Sequence, residues 1–164
     1  MNTHQNATRW MLVLLGLLLQ GQAMAFTQPL YLFSEVEGIV LLDGQPVEGA
    51  EVERICHWKD DLKTERTLTD ASGRYHFPEI TAKSLLWSLL PHEPVVFQTL
   101  RIHHQGKVHK GWVFTKHNYD NLGEVKDRRL KFSCDLNTEP IAHRETEIFG
   151  ICILQGSGSE EHTD

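Results

Sequence analysis

Three dipeptides that reverse a chain, Asp43-Gly44, Ser72-Gly73 and Gln105-Gly106, each fall between short runs in which apolar and polar side chains alternate. Alternation with period two belongs to a strand with one buried face, and glycine takes the positive φ that tight reversals demand. Val36, Gly38, Val40 and Leu42 fall on one side of an extended run and Glu35, Glu37 and Ile39 on the other, up to Asp43-Gly44. Past Pro46-Val47 and Gly49-Ala50, Val52, Arg54 and Cys56 alternate with Glu51, Glu53 and Ile55. After the polar stretch Lys59 to Lys63, Thr64 to Thr69 reads as a strand, and Asp70-Ala71-Ser72-Gly73 folds it back as a hairpin onto Arg74–Phe77. Tyr75 and Phe77 share a face there, and Pro78 ends the pairing.

The longest hairpin is expected from Val95 to Ile102 and Val108 to Thr115. A two-residue turn at Gln105-Gly106 sets Phe97 near Phe114 and Thr99 near Trp112 on one face, with Leu100 facing Gly111 and Gln98 facing Val113 on the other. Leu130 to Leu136 and Ile148 to Leu154 supply two more strands. Between Ala82 and Leu90, Leu85, Leu86, Leu89 and Leu90 have helical spacing and Pro91 is a stop, which predicts one short helical segment. About seven strands at this spacing predict an all-β antiparallel sandwich.

The first 25 residues contain no acidic side chain and one cation, Arg9, followed by an apolar run from Trp10 to Leu19. The run is too short to cross a bilayer and ends at Ala23-Met24-Ala25, a small-x-small pattern, so cleavage of a secretory signal is expected before Phe26. No cysteine at that point prepares a lipid anchor, and no later stretch is long and apolar enough to span a membrane. The expected organisation is a leader over 1–25, one sandwich domain over 26–154, and a disordered tail over 155–164 rich in Gly, Ser and Glu. The product is then periplasmic or secreted, without stable membrane insertion.

The formal net charge is −6 and becomes more negative when Arg9 leaves with the leader. The remaining cations are scattered, which excludes nucleic acid and anionic membrane as expected partners. Three cysteines, Cys56, Cys134 and Cys152, all lie in the exported part. In an oxidising compartment a pair should close; Cys134 with Cys152 is favoured because both lie in the last third, and other pairings stay open. Cys56 is then a buried free thiol.

Two local patterns coincide: Glu37-Gly38-Ile39-Val40 leading to Gly44-Gln45-Pro46-Val47-Glu48-Gly49-Ala50-Glu51-Val52, and Thr69-Asp70-Ala71-Ser72-Gly73-Arg74-Tyr75-His76-Phe77. Together they resemble the carboxypeptidase regulatory-like, transthyretin-like (prealbumin-like) β-sandwich domains. Leu89 to Val96, with the closing Cys134 and Cys152, resembles a family of short secreted proteobacterial proteins. The resemblance implies a fold and a bacterial origin, and no reaction.

Candidate chemistry is sparse. Hydroxyisourate hydrolases of transthyretin-like fold end in Tyr-Arg-Gly-Ser; this chain ends in Gly158-Ser159-Glu160-Glu161-His162-Thr163-Asp164, so no functional residue carries over. His103, His104, His109 and His117 crowd one hairpin, but His103 faces opposite to His109 and no third ligand is spaced to complete a metal site. Gly156-Ser157-Gly158-Ser159 lacks the strand-turn-helix setting of a nucleophilic serine. Cys56 and His57, neighbours on one strand, point to opposite faces. No catalytic residue, cofactor or metal is therefore expected. His92 and Glu93, in a loop between prolines, and His103 and His104 are the candidate partner contacts. The expected function is a non-catalytic exported binding module of the bacterial envelope that holds a protein or a glycan. The alternatives are a periplasmic immunity protein against a secreted effector and a hydrolase or metal enzyme.

Overall fold

In the computed structural model of the chain, the described residues are 28–84, 93–125, 128–143 and 148–155. They form thirteen strands: β1 (Leu30–Phe33), β2 (Val36–Leu42), β3 (Gln45–Pro46), β4 (Glu51–Trp58), β5 (Asp61–Leu68), β6 (Arg74–Phe77), β7 (Ile80–Ala82), β8 (Val96–His104), β9 (Lys107–Lys116), β10 (Leu130–Asp135), β11 (Ile141–His143), β12 (Ile148–Gly150) and β13 (Cys152–Leu154). Two compact units divide the chain. One comprises residues 1–30 and 83–91, of which little is described; the other, residues 31–82 and 92–164, carries everything considered below. The leader over 1–25, the leucine-rich part of the expected helical segment and the tail beyond Gln155 lie outside the described residues.

The fold is all-β and sandwich-like. A larger sheet has the order β11-β12-β9-β8-β4-β5; a smaller one runs β13-β10-β2-β3, with β6 also on β2; and β1 pairs with β7. Both sheets turn their apolar alternation inward. Trp112 sits between Phe33 and Phe132, with ring centroids 5.6 and 5.5 Å away, and Val36, Val40, Val52, Leu100 and Ile102 close the core around it. The alternation over Val36–Leu42 and the Asp43-Gly44 reversal, with φ of 53° and 75°, stand as the residues predict.

Several local readings need correction. Thr64 to Phe77 is not a hairpin: β5 pairs with β4 and β6 with β2, so the chain changes sheets at the turn. The Asp70 carboxylate accepts the Ser72 and Arg74 amides at 2.8 and 2.9 Å, while the Thr69 hydroxyl accepts the Ala50 amide at 2.9 Å. These bonds tie the corner to the β3–β4 connection and deliver Tyr75 opposite Gly38. β5 begins at Asp61, earlier than its composition suggests, because the two-residue turn Lys59-Asp60 uses Lys59 at φ 56° where no glycine signals it. Charged side chains along β5 suit an edge strand, where they oppose pairing with another chain.

In the longest hairpin the turn is correct and the register holds from His104↔Lys107 to Arg101↔Lys110. A shift between Leu100 and Arg101 then sets Leu100 opposite Trp112 and Gln98 opposite Phe114. The extra residue is Gly111, and such a bulge flips every side chain beyond it to the other face. Trp112 thereby enters the core, and Phe97 and Thr99 stay outside. Ile148 to Leu154 is two strands, β12 on the larger sheet and β13 on the smaller, switching at Gly150, whose φ is 153°. One ladder, β2 beside β10, is parallel, with Leu130 opposite Val36. The intervening chain is long enough for the crossover that parallel pairing needs.

Cys134 and Cys152 are directly paired across β10 and β13 and form a disulfide of 18-residue separation. By the chain-entropy account such a loop is worth about 3 kcal/mol. Cys56 is a buried free thiol, and burial pushes its pKa up to about 11.

A Cβ on Gly38 would collide with the Tyr75 ring, which is itself buried against Phe77. Gly38→Ala is therefore expected to cost about 1–3 kcal/mol, the penalty of overpacking. Urea unfolding of the variant checks this, and an unchanged midpoint would refute the close approach.

An open sheet face as the candidate functional site

Pleating sends Val52, Arg54, Cys56 and Trp58 of β4 inward and Glu51, Glu53, Ile55 and His57 outward. Registered partners continue the outward set into rows across the larger sheet. One row is Leu62, His57, Phe97 and Thr115; the next is Thr64, Ile55, Thr99, Val113 and Phe149. Phe97 is 52% exposed and Leu62 63%, and the His57 ring lies 5.9 Å from that of Phe97. An antiparallel sheet that faces water ordinarily carries polar residues on that side. Exposed apolar side chains gathered in one place mark contact surfaces.

The following row is charged: Arg66, Glu53, Arg101 and Lys110 lie side by side on four strands. Glu53 is 5% exposed because its neighbours cover it. Arg66 donates to Glu53 Oε1 through Nη2 at 2.7 Å and Nε at 3.0 Å; Arg101 Nη1 and His103 Nε2 stand 3.5 Å from Oε2. The Arg66 hydrogen bond, then the charges of Arg66 and His103, hold the Glu53 carboxyl below the usual range against its desolvation. Three cations thus share the row with one carboxylate, which reverses locally the acidic balance of the whole chain. Beyond them Leu68 and Val108, 63% and 58% exposed, flank Glu51 and His103.

The four contact candidates named from the sequence do not come together. His103 lies on this face beside Glu53, and His104 pairs with Lys107 at the hairpin tip. Glu93 precedes the opposite end of β8, roughly 30 Å of strand away, with its carboxylate 3.6 Å from His117 Nδ1. His92 lies outside the described residues. Phe97, Leu62, Arg66 and Arg101 escaped the sequence reading because strand pairing, not spacing along the chain, assembles them. The only early signal was the alternation of Phe97, Thr99, Arg101 and His103 along β8.

Two further places hold polar groups. A groove of about 590 Å³ is lined by Glu37, Ile39, Arg74, His76 and Lys131 of the smaller sheet and by Thr67 and Leu68 at the end of β5. Its charges are largely engaged, Lys131 with Glu37 at 2.9 Å and His76 with Glu35 at 2.8 Å. Under the inner face of the larger sheet, Glu124 is buried with Lys116, Gln98 and Ser34. Ser34 donates its amide (2.9 Å) and hydroxyl (2.7 Å) to the carboxylate, Gln98 Nε2 donates at 2.9 Å, and Lys116 Nζ donates at 3.1 Å. Sealed from water, this cluster offers no entry for an external ligand.

Fold and surface together define a sandwich-like all-β protein in which, among the described residues, the outer face of the larger sheet is open, apolar at one end and cationic beside it. The chain belongs to the family described as Domain of unknown function (DUF6795), whose model matches residues 36–139, from the start of β2 to just before β11. No curated protein and no solved structure matches it.

Proposed function

We propose that this chain is exported, loses residues 1–25, and works in the periplasm or outside the cell as a non-catalytic module that binds a protein through the open face of its larger sheet. The observation that carries this is the cluster of exposed Phe97, Leu62, Leu68 and Val108 around the row Arg66, Glu53, Arg101 and Lys110. Apolar area supplies affinity, and aromatic and arginine side chains are the commonest anchors of protein interfaces. The fixed cations select a partner with an apolar centre and an acidic border. A basic target, which the net charge of the chain suggests, suits this face less well. The disulfide fits an oxidising compartment, and no helix of the described residues is long and apolar enough to cross a membrane. The transthyretin-like kinship is part of the same proposal, supported by the placement of the Gly38 and Tyr75-x-Phe77 motifs opposite each other on β2 and β6.

Affinity capture from periplasmic extract tests the reading, with Phe97→Glu and Arg101→Glu as paired variants. Phe97 lies at an exposed position where substitutions change stability by within about 0.5 kcal/mol, whereas Arg101→Glu sets a carboxylate beside Glu53, so thermal unfolding of both variants accompanies the capture. Wild-type protein should retain a partner that both variants lose, at least tenfold in recovered amount. Retention of the same partner by both variants moves the site elsewhere, and selective release by free sugar identifies a glycan instead.

A further inference from the structure

Gln98 on β8 and Lys116 on β9 are diagonal neighbours on the inner face, since Gln98 pairs with Phe114 and Val96 with Lys116. Both side chains are 0% exposed, as is the carboxylate of Glu124 between them. Lys116 Nζ and Gln98 Nε2 donate to the same atom, Glu124 Oε1, at 3.1 and 2.9 Å. A second pair of contacts fixes each end: Lys116 Nζ donates to the Asp120 carbonyl and Gln98 Nε2 to that of Leu32, both at 2.7 Å. Gln98 Oε1 is buried without a hydrogen-bond partner among the described residues. An amine, a carboxamide and a carboxylate that touches both nitrogens therefore share one enclosure closed to bulk solvent.

That is the constellation for aminolysis of an amide. Holding two reactants in one site removes the entropy cost of their encounter, a saving that reaches about 7–11 kcal/mol when the amine stands at attack distance from the amide carbon. Burial lowers the Lys116 pKa against the opposing pull of Glu124, which favours the neutral amine that attack requires.

We propose that Lys116 and Gln98 become joined by an internal amide bond, with Glu124 as the proton carrier. A bond forms between Lys116 Nζ and Gln98 Cδ, and the bond from Cδ to Nε2 breaks. Two protons pass in turn from Nζ through Glu124 Oε1 to Nε2, so the nitrogen leaves as ammonium and Glu124 ends as the carboxylate it began as. Nothing is oxidised or reduced, and no co-reactant is needed. The product staples β8 to β9 beneath the candidate face and leaves that face unaltered.

Intact mass spectrometry of the purified full chain tests this directly. The expected mass is lower than that of the disulfide-bonded sequence by one molecule of ammonia, with a branched peptide linking the segments that hold Gln98 and Lys116. Lys116→Arg and Glu124→Gln should each restore the full mass. Full mass in the wild type overturns the proposal without reference to whether either variant folds. So does an ammonia loss that hydroxylamine reverses and that maps to Cys56, the register partner of Gln98 on β4, because that product is a thioester.

Discussion

Measured against chain of full mass, in which Lys116 and Gln98 are not joined, Glu124→Ala is expected to lower the stability of the domain by about 3–5 kcal/mol, the cost of removing one partner from a buried ion pair. Glu124 receives Ser34, Gln98 and Lys116 in a space that water does not reach. Its loss strands the Lys116 ammonium with only the Asp120 carbonyl and leaves the Ser34 amide without an acceptor. The pH dependence separates a charge effect from a packing effect. Burial already depresses the folded-state pKa of Lys116, and in the variant only the weaker pulls of Asp120 and Cys56 oppose that depression. The folded state then binds fewer protons than the unfolded state, so stability rises with pH between the depressed value and the ordinary lysine value near 10.4. Denaturant titrations of the variant at neutral and alkaline pH should show partial recovery at the higher pH. A loss that stays constant with pH would mean that cavity formation, not the stranded charge, sets the cost.

Arg54→Ala is expected to cost about 3 kcal/mol, and Arg54→Met distinctly less. The guanidinium is fully buried, 5.3 Å from the Phe33 centroid and 4.8 Å from that of Phe77, paired with Glu65, and donates to the Pro78 carbonyl. Alanine removes both the ion pair and the material that fills the space between the rings, so the pair and cavity penalties combine. Methionine keeps most of the volume and a polarizable group against the aromatic faces. The abandoned Glu65 carboxylate reaches solvent, with its side chain 29% exposed, so it need not stay unpaired in the core. Thermal unfolding of the two variants ranks them. Equal losses would show that the charge, and not the packing of the stem and fork, matters at this position.

These two side chains also show where reading along the chain succeeds and fails. Arg54 has the same parity as Val52 and Cys56, so its inward direction follows from strand alternation alone, and the structure has it inside. Nothing local announces Glu65 and Pro78 as its partners, because one lies across a hairpin and the other past a change of sheet. Lys116 and Glu124 are eight residues apart, yet their pairing depends on the turn after β9 folding under Ser34.

Local chemistry determined the all-β character, the inward faces of β2, β4 and β6, the turns at Asp43-Gly44 and Gln105-Gly106, and the favoured pairing of Cys134 with Cys152. Alternation and positive-φ glycines act over a few residues and leave their mark in the residue order. Tertiary structure decided which strands became neighbours: β6 on β2 and not on β5, β10 parallel to β2, and Trp112 turned inward by the bulge at Gly111. The open face, with Phe97 beside His57 and Glu53 held between Arg66 and Arg101, belongs wholly to that second level. Its members come from β4, β5, β8 and β9, and only the hydrogen-bonded register between strands brings them to one surface.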